Sequence, residues 1–326
     1  MPLIARDDPA GVPAAAAWLA AGELVAFATE TVYGLGARAD DDAAVARIFA
    51  AKGRPADHPL IVHVADLASA RAFAGTLGAA AQRLMAAFWP GPLTVIVPRR
   101  PGWGTAAAGG QDSIGLRMPA HPQALALLQQ AALLGVPGLA APSANRFGRI
   151  SPTTAAHVQQ EFGEALWVLD GGASAVGIES AIVDCTRAQP ALLRPGQLAR
   201  AAIEQALGQR LAGADAHSPR APGTLAAHYA PTAPLRLLSA AQLHQGQGQA
   251  GTVVGVYSRV APQARPGAGP TWVHQAMPAQ AEAVAHELFA VLRALDAAGV
   301  SAIWVEMPPP DPEWDGVRDR LQRAAA

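Results

Sequence analysis

Four cationic side chains stand at the ends of short apolar runs, where a folded chain can present them to a ligand. They are Lys52, Arg54, Arg117 and Arg194. Arginine offers a fork of N–H donors and lysine a compact charge, so both suit phosphate and carboxylate groups. Simpler alternatives stay open, because Lys52 and Arg54 could complement a helix dipole and Arg117 could form a salt bridge.

The segment that ends in Arg117 alternates polar and apolar residues. A period of two places Ser113, Gly115 and Arg117 on one face of a predicted strand. The missing side chain at Gly115 suggests close approach by a ligand or by another backbone. Ser113 and Arg117 lie roughly 13 Å apart at strand rise, a length comparable to a nucleotide plus a small acid.

Further polar motifs follow predicted strands, and each has a structural alternative. Residues 28–36 form a polar turn whose glycines and hydroxyls would also suit an ordinary capped turn. Ser151 ahead of Pro152 is typical of a helix N-cap, which alone would explain it. His63 shares a strand face with Ile61 and is either a buried core histidine, which we favour, or a donor to a ligand.

No acid–base pair and no cluster of metal ligands accompanies these groups. Several cations and hydroxyls without such partners favour the binding of phosphate and carboxylate over hydrolysis. The single cysteine, Cys185, lies in an apolar, strand-like run. One cysteine excludes a disulfide framework within the chain and a multi-cysteine zinc site.

The elements that must position these residues form an α/β pattern up to about residue 207. Short apolar runs bounded by glycine and proline alternate there with alanine-rich helical stretches. The aspartates at 40–42 supply an N-cap for a helix that runs to Lys52. We expect one large sheet with strands at 24–28, 60–64, 93–97, 114–118, 138–141, 166–169 and 180–185.

The length of 326 residues suggests two domains. The composition shifts to Gly, Ala, Pro and Ser across 208–234, which predicts a linker between an α/β domain at 1–207 and a smaller α/β domain at 235–326. The smaller domain shows a βαβ-like pattern, with strands at 251–257 and 302–307 and a helix at 279–298. Residues 245–249 are predicted to form a low-complexity loop.

Composition limits the class of protein. Hydrophobic residues make up 51% and charged residues 15%, as in a globular chain. The 24 Lys and Arg balance the 25 Asp and Glu without a basic tail, so nothing indicates tight binding to an RNA backbone. We find neither the apolar stretch of a signal peptide nor a run near 18 apolar residues, and therefore expect a soluble cytoplasmic protein without a membrane partner.

Taken in order, six motifs resemble those of the YrdC-like threonylcarbamoyl-AMP synthases. They lie at 29–36, 52–55, 59–63, 116–119, 142–145 and 193–196. The resemblance covers roughly residues 5–205 and implies a twisted mixed sheet with a concave, positively charged groove. The linker and a Rossmann-like C-terminal domain resemble the longer, two-domain form of that family, in which the linker covers the active site.

The resemblance also assigns roles, position by position. The catalytic set would be Lys52, Arg54, Ser143 and Asn145. L-Threonine would be held by Thr31, His63, Arg117, Ser180 and the backbone at Ala141. ATP would be held by Arg54, His58, Ser113, Ser143, Ser151, Arg194 and, from the linker motif at 228–231, Tyr229.

The chain departs from the family pattern at three places. Ala28 stands where proline is usual, and His58 stands where asparagine is usual. Residues 223–227 lack the methionine and basic residues that relatives carry. These departures concern the contact of His58 with ATP and the closing geometry of the linker.

The resemblance implies a nucleotidyltransferase that makes threonylcarbamoyl-AMP from L-threonine, bicarbonate or CO2, and ATP. Mg²⁺ would arrive with ATP, and no resident metal site is expected. The product would pass to a tRNA threonylcarbamoyl transferase for the N6-threonylcarbamoyladenosine modification, while direct binding of tRNA is left open.

Two alternatives belong to other classes of protein. The first is an RNA-binding module, against which the balanced charge argues. The second is the carbamoyl-transfer enzyme of hydrogenase maturation, which shares the YrdC-like domain. That enzyme needs zinc-binding cysteines, and a single cysteine cannot supply them.

Overall fold

The computed structural model describes residues 3–245, 251–262 and 270–326. The chain forms two compact units. The first unit contains Met1–Phe147 and Ser151–Thr224, and the second contains Gly148–Ile150 and Leu225–Ala326. The low-complexity loop predicted at 245–249 lies, beyond its first residue, outside the described residues.

The first unit is an α/β structure. Its strands are β1 (Leu3–Ile4), β2 (Val25–Phe27), β3 (Gly34–Arg38), β4 (Ile61–His63), β5 (Leu93–Pro98), β6 (Ser113–Arg117), β7 (Leu139–Ala140), β8 (Trp167–Leu169), β9 (Ala181–Asp184), β10 (Ala191–Arg194) and β11 (Ala212–Gly213). Its helices are α1 (Gly11–Ala20), α2 (Asp42–Lys52), α3 (Leu67–Phe73), α4 (Ala79–Phe88), α5 (Pro122–Leu133), α6 (Ala155–Phe162) and α7 (Arg200–Leu207), with a 3₁₀ turn at Gly163–Ala165. All seven predicted strands are confirmed.

The strands join into one mixed sheet, as predicted. Their order is β1-β8-β2-β3-β7-β4-β6-β5-β9-β10-β11. Strand β4 runs parallel to β6 with His63 opposite Arg117, and β5 runs antiparallel to β6 and parallel to β9. This register brings the carboxyl ends of β4 and β6 to the same edge of the sheet, so polar residues far apart in sequence meet there.

Helix α2 and the polar face of β6 were predicted correctly. The Asp41 side chain caps α2 by accepting hydrogen bonds from the amides of Ala43 and Ala44 at 2.9 and 3.2 Å. The helix ends at Lys52, followed by Gly53 in the left-handed region with a φ of 63°. The position of Lys52 at the end of α2 was therefore predictable, because the capping residues define both ends of this helix.

Other local predictions were incomplete or wrong. Strand β3 begins inside the turn predicted at 28–36. A side chain at Gly36 would come within 2.8 Å of the Phe27 ring on β2, so the glycine lets the two strands pack closely. The predicted N-cap at Ser151 is wrong. Helix α6 begins later, and Thr154 caps it by accepting from the His157 amide at 3.3 Å.

The second unit is a smaller α/β structure. It contains β12 (Leu235–Leu238), α8 (Ala240–Gln245), β13 (Val253–Ser258), β14 (Thr271–Ala276), α9 (Ala281–Ala297), β15 (Ala302–Glu306), a 3₁₀ turn at Pro312–Trp314 and α10 (Asp315–Ala324). The strands are all parallel in the order β12-β15-β13-β14, a Rossmann-like arrangement. The two predicted strands and the predicted long helix are confirmed, whereas β12, β14, α8 and α10 were not predicted.

The division of the chain differs from the predicted domain limits. The structure separates the units after Thr224, so residues 208–224 of the predicted linker belong to the first unit and 225–234 to the second. Strand β11 pairs with β10 inside the first unit. A separate linker at 208–234 stays a prediction. Among the described residues, no helix combines the length and apolar character needed to cross a membrane.

The loop after β10 packs closely against the backbone of Ser180 and Ala181 at Gly196. A β-carbon at this position would lie 2.4 Å from the Ala181 nitrogen and 2.9 Å from the Ser180 carbonyl carbon. We expect Gly196→Ala to destabilise the protein by about 1 to 3 kcal/mol, since backbone atoms cannot move aside as a flexible side chain can. Chemical unfolding measures the change. Gly213→Ala is the control, because nothing lies within 4 Å of that position, and equal stability of both variants would contradict the packing argument.

Candidate active site

Arg117 lies at the end of β6 with its guanidinium in the interior of the first unit. Its Nη1 donates to Thr31 Oγ1 at 2.8 Å, and its Nε donates to the Gly91 carbonyl at 3.2 Å. Its Nη2 forms an ion pair with Glu30 Oε1 at 2.6 Å. A guanidinium has five N–H donors, so these bonds leave two for a ligand. Arg117 therefore forms a salt bridge, which was the structural alternative for this residue. Its partner, Glu30, was not predicted as a site residue.

His63 lies beside Arg117 on the adjacent strand and is 3% exposed. Its ring packs edge-on against Phe27, with the ring centroids 6.2 Å apart. Burial and the nearby Arg117 charge lower the pKa of His63 from 6.5 to about 3, so the ring is neutral near pH 7. Nδ1 has no hydrogen-bond partner among the described residues. His63 is thus a core histidine that keeps one ring nitrogen for a ligand.

Ser180 and Arg194 are in direct contact, although the resemblance assigns them to different ligands. Arg194 donates to the Ser180 carbonyl from Nε at 3.0 Å and from Nη2 at 2.9 Å, and Nη2 also lies 3.2 Å from Ser180 Oγ. The Ser180 hydroxyl is 2.8 Å from the Thr94 hydroxyl on β5. Thr94 was missed, because a threonine inside an apolar strand resembles any other β-branched core residue.

A small cleft opens beside these groups. Its lining includes Thr94, Ser113 and Gly115 together with Arg220 and Pro222 from the predicted linker. Gln111 Oε1 accepts from the Arg220 amide at 2.8 Å, and the Pro222 carbonyl accepts from Arg194 Nη1 at 3.0 Å. Part of the predicted linker therefore lines the cleft within the first unit.

Lys52 connects the two segments that supply the predicted catalytic set, residues 52–54 and 143–145. Its Nζ donates to the Ser143 carbonyl at 2.6 Å and to the Asn145 carbonyl. Burial, and then the charge of Arg54, hold the pKa of Lys52 well below its ordinary value. The ammonium group therefore fixes the loop at 143–145 from inside the protein.

Arg54 and His58 meet on the ring of Phe147. The Arg54 guanidinium lies 5.6 Å from the ring centroid, and the His58 ring packs edge-on at 5.4 Å. Arg54 Nη2 also donates to the Pro59 carbonyl at 3.0 Å. Burial and the Arg54 charge lower the pKa of His58. Phe147 was not predicted as a site residue, because only the fold brings its ring to Arg54 and His58.

The remaining predicted site residues have partners of their own. Ser151 Oγ donates to Glu179 Oε1 at 2.5 Å, and both residues are buried. The Ala141 amide donates to the Ile61 carbonyl at 2.9 Å. Glu179, directly before Ser180, was not predicted as a site residue.

Tyr229 belongs to the second unit. Its ring stacks on Phe289 with centroids 5.4 Å apart, and the Arg320 guanidinium lies 5.5 Å from its centroid. The residue has a φ of 63° and is 1% exposed. The contact of Tyr229 with ATP stays a prediction.

Fold and site together define an α/β protein whose large sheet carries buried cations beside a polar cleft. Among residues 3–245, 251–262 and 270–326, no group of three His, Cys, Asp or Glu side chains could hold a metal ion. A family model described as telomere recombination, for Sua5, YciO and YrdC, matches residues 17–196. A second model, described as the C-terminal domain of threonylcarbamoyl-AMP synthase, matches residues 198–326. The chain belongs to the threonylcarbamoyl-AMP synthase family, as the sequence resemblance indicated.

Individual relatives agree with this assignment. The threonylcarbamoyl-AMP synthase of Bacillus subtilis is 38% identical over 335 residues, covering 99% of this chain and 94% of that protein. The synthase of Pyrococcus abyssi is 44% identical over 225 residues, covering 67% of this chain and 65% of that protein. The crystal structure of P. abyssi Sua5 complexed with L-threonine has a TM-score of 0.88 at 35% identity, covering 100% of this chain and 98% of that one.

The lowered pKa of His63 predicts a pH dependence of stability. Between pH 6.5 and 3 the unfolded chain binds a proton at this residue and the folded protein does not, so stability falls as the pH drops. The loss grows by about 1.4 kcal/mol per pH unit and reaches about 2 kcal/mol at pH 5.

We expect His63→Gln to remove about this much of the decrease between pH 7.5 and 5 in chemical unfolding. The measurements at pH 7.5 serve as the reference, because the imidazole is neutral there in both states. Parallel pH profiles for the wild type and the variant would show that His63 does not titrate in this way.

Proposed function

We propose that this protein synthesises threonylcarbamoyl-AMP from L-threonine, bicarbonate and ATP, with release of pyrophosphate. The observation that carries the proposal is the contact of Arg194 with Ser180 in a protein of this family. The resemblance assigns Ser180 to threonine and Arg194 to ATP. A site in which these two residues touch can hold the amino acid and the nucleotide side by side, as a joining reaction requires.

The end of the site at Arg117 suits L-threonine. The two remaining N–H donors of Arg117 would bind the carboxylate, since arginine binds carboxylates with paired hydrogen bonds. His63 Nδ1 would take up the hydroxyl group. The Thr31 hydroxyl contacts the same guanidinium at 2.8 Å, and Ser180 would complete the set. The P. abyssi relative described as complexed with L-threonine supports this choice of substrate.

The cations around the cleft suit ATP. Arg194 and Arg54 would bind phosphate oxygens, and the hydroxyls of Ser113, Ser143 and Ser151 would add donors. Ser113 lines the cleft, and His58 lies near Arg54 on the Phe147 ring. Mg²⁺ would enter with ATP as part of the substrate. Tyr229 would contact the nucleotide, as the family motif implies.

The reaction would need orientation and charge neutralisation more than proton chemistry. The threonine amine would react with bicarbonate to give a carbamate, whose oxygen would attack the α-phosphorus and expel pyrophosphate. Lys52, Arg54 and Arg194 would offset the negative charge that gathers there. Arg220 and Pro222, which line the cleft, would limit the access of water to the adenylate.

The product is a mixed anhydride and therefore an activated group donor. A tRNA threonylcarbamoyl transferase would consume it in making N6-threonylcarbamoyladenosine, and the expected compartment is the cytoplasm. Whether this protein also binds tRNA directly stays open. An RNA-binding function has no structural observation in its favour and serves as the alternative outcome of the test.

The first test is pyrophosphate release from ATP and bicarbonate, with and without L-threonine, followed by mass detection of the adenylate. We expect release to depend on threonine and the adenylate mass to appear. ATP turnover that ignores threonine, without an adenylate, would overturn the proposal. Salt-sensitive binding of RNA would then become the leading hypothesis.

Arg117→Ala tests the position of the amino acid. Loss of two charge-assisted bonds worth about 1.5 to 3 kcal/mol each should lower kcat/KM for threonine by about 100-fold or more. Arg71→Ala is the matched control, because Arg71 lies exposed on α3. We expect wild-type activity for this control. An Arg117→Ala variant that is folded and fully active would place the carboxylate elsewhere.

A further inference from the structure

Glu30 is a buried carboxylate with one oxygen left over. The residue is 9% exposed, and its Oε1 pairs with Arg117 Nη2 at 2.6 Å. Its other oxygen, Oε2, is buried and has no hydrogen-bond partner among the described residues. The Glu30 carbonyl accepts from the Val176 amide at 2.7 Å, so the backbone is held in place. The family resemblance assigns no substrate contact to this side chain.

An unpartnered carboxylate oxygen in the interior is costly and calls for an explanation. Two nearby polar side chains are engaged with other groups. The Thr31 hydroxyl lies between the Thr29 hydroxyl and Arg117, at 2.8 Å from each. His121 interacts electrostatically with Glu30, but its Nε2 lies 3.3 Å from the Gly171 carbonyl oxygen. A cationic donor that arrives with the substrate would satisfy Oε2.

L-Threonine carries such a donor. Its ammonium and carboxylate groups are attached to one carbon atom, so protein groups that bind both must themselves be neighbours. Arg117 and Glu30 are neighbours of opposite charge, and each keeps capacity for a further hydrogen bond. Building on the function proposed above, we propose that Glu30 Oε2 binds the α-ammonium group of L-threonine and accepts its proton when the amine reacts with bicarbonate.

The step balances without a further reactant. An ammonium N–H bond breaks and its proton goes to Glu30 Oε2, which leaves a lone pair on the nitrogen. That pair forms the N–C bond to the bicarbonate carbon while the C–OH bond breaks, and the hydroxide leaves as water with a second amine proton. Glu30 then passes its proton to this water, which carries it to solvent when it leaves the site.

The other titratable groups near Arg117 suit this step less well. His63, with a pKa lowered to about 3, is neutral near pH 7 and offers no negative charge to attract an ammonium group. Lys52 donates from Nζ to two carbonyls and is itself a cation donor. Glu179 accepts from the Ser151 hydroxyl, on the side assigned to ATP. Glu30 is the carboxylate that pairs with Arg117.

The test compares two ligands that differ only in the amine. L-Threonine and (3R)-3-hydroxybutanoate share the carboxylate and the hydroxyl group, and calorimetry gives their Kd values for wild type and Glu30→Gln. We expect the preference for threonine to fall by about 10- to 100-fold in the variant, the range for a hydrogen bond to a charged group. If Glu30 only held Arg117 in place, both ligands would weaken equally and the preference would not change, which would overturn the proposal.

Glu179→Gln is the matched control. It also removes a buried carboxylate near the site but leaves Arg117 and its partners in place, so the preference should stay at the wild-type value. A second measurement requires no variant and decides the case if Glu30→Gln does not fold. The wild type should bind threonine at least about tenfold more tightly than hydroxybutanoate, and equal Kd values would overturn the proposal.

Kinetics test the transfer of the proton. At saturating threonine, kcat of Glu30→Gln should fall by about 100-fold or more, the usual contribution of a general base. A variant that loses the preference but keeps the wild-type kcat would overturn the proton-acceptor role. Failure of the proposed function has a different signature, because the wild type would then form no adenylate while the two-ligand comparison could still show the amine contact.

Discussion

The ion pair between Arg117 and Glu30 is the interaction on which the rest of the site depends. Taking two charges out of water costs several kcal/mol each, and their attraction offsets this only with good geometry and further hydrogen bonds. Arg117 has both, because Thr31 and Gly91 accept from the same guanidinium. Burial, and then the charge of Arg117, lower the pKa of His63. The ion pair therefore contributes to the neutral state of its neighbour.

Two other buried cations of the first unit donate to backbone carbonyls. Lys52 donates to carbonyls in the loop at 143–145, and Arg194 donates to those of Ser180 and Pro222. A carbonyl orients a cation without cancelling its charge. This difference is consistent with the proposed roles, in which Arg117 beside Glu30 would hold a zwitterionic amino acid, and Lys52 and Arg194 would face the phosphates of ATP.

The sequence predicted those parts of the fold that rest on local chemistry. Capping by Asp41 defined α2, and alternation over 113–117 identified the strand that carries Arg117. The glycine stretch at 34–36 was read as a turn, because the ring of Phe27 that requires small residues there lies on another strand. Glu30 was passed over for a similar reason. Its partner is 87 positions away, and only the sheet brings the two together.

Contacts between residues that are far apart in the chain also explain why the candidate residues were predictable but their arrangement in space was not. Ser180 and Arg194 were assigned to different substrates, yet they share two hydrogen bonds through one carbonyl. The parallel pairing of β4 with β6 is likewise not encoded in either strand alone, but it places His63 opposite Arg117. In the proposed function, this register would give the three polar groups of threonine three different partners. The carboxylate would meet the cation of Arg117, the ammonium the carboxylate of Glu30, and the hydroxyl an imidazole that burial and the nearby cation keep neutral. The position of one buried arginine would then determine which end of the amino acid enters which part of the site.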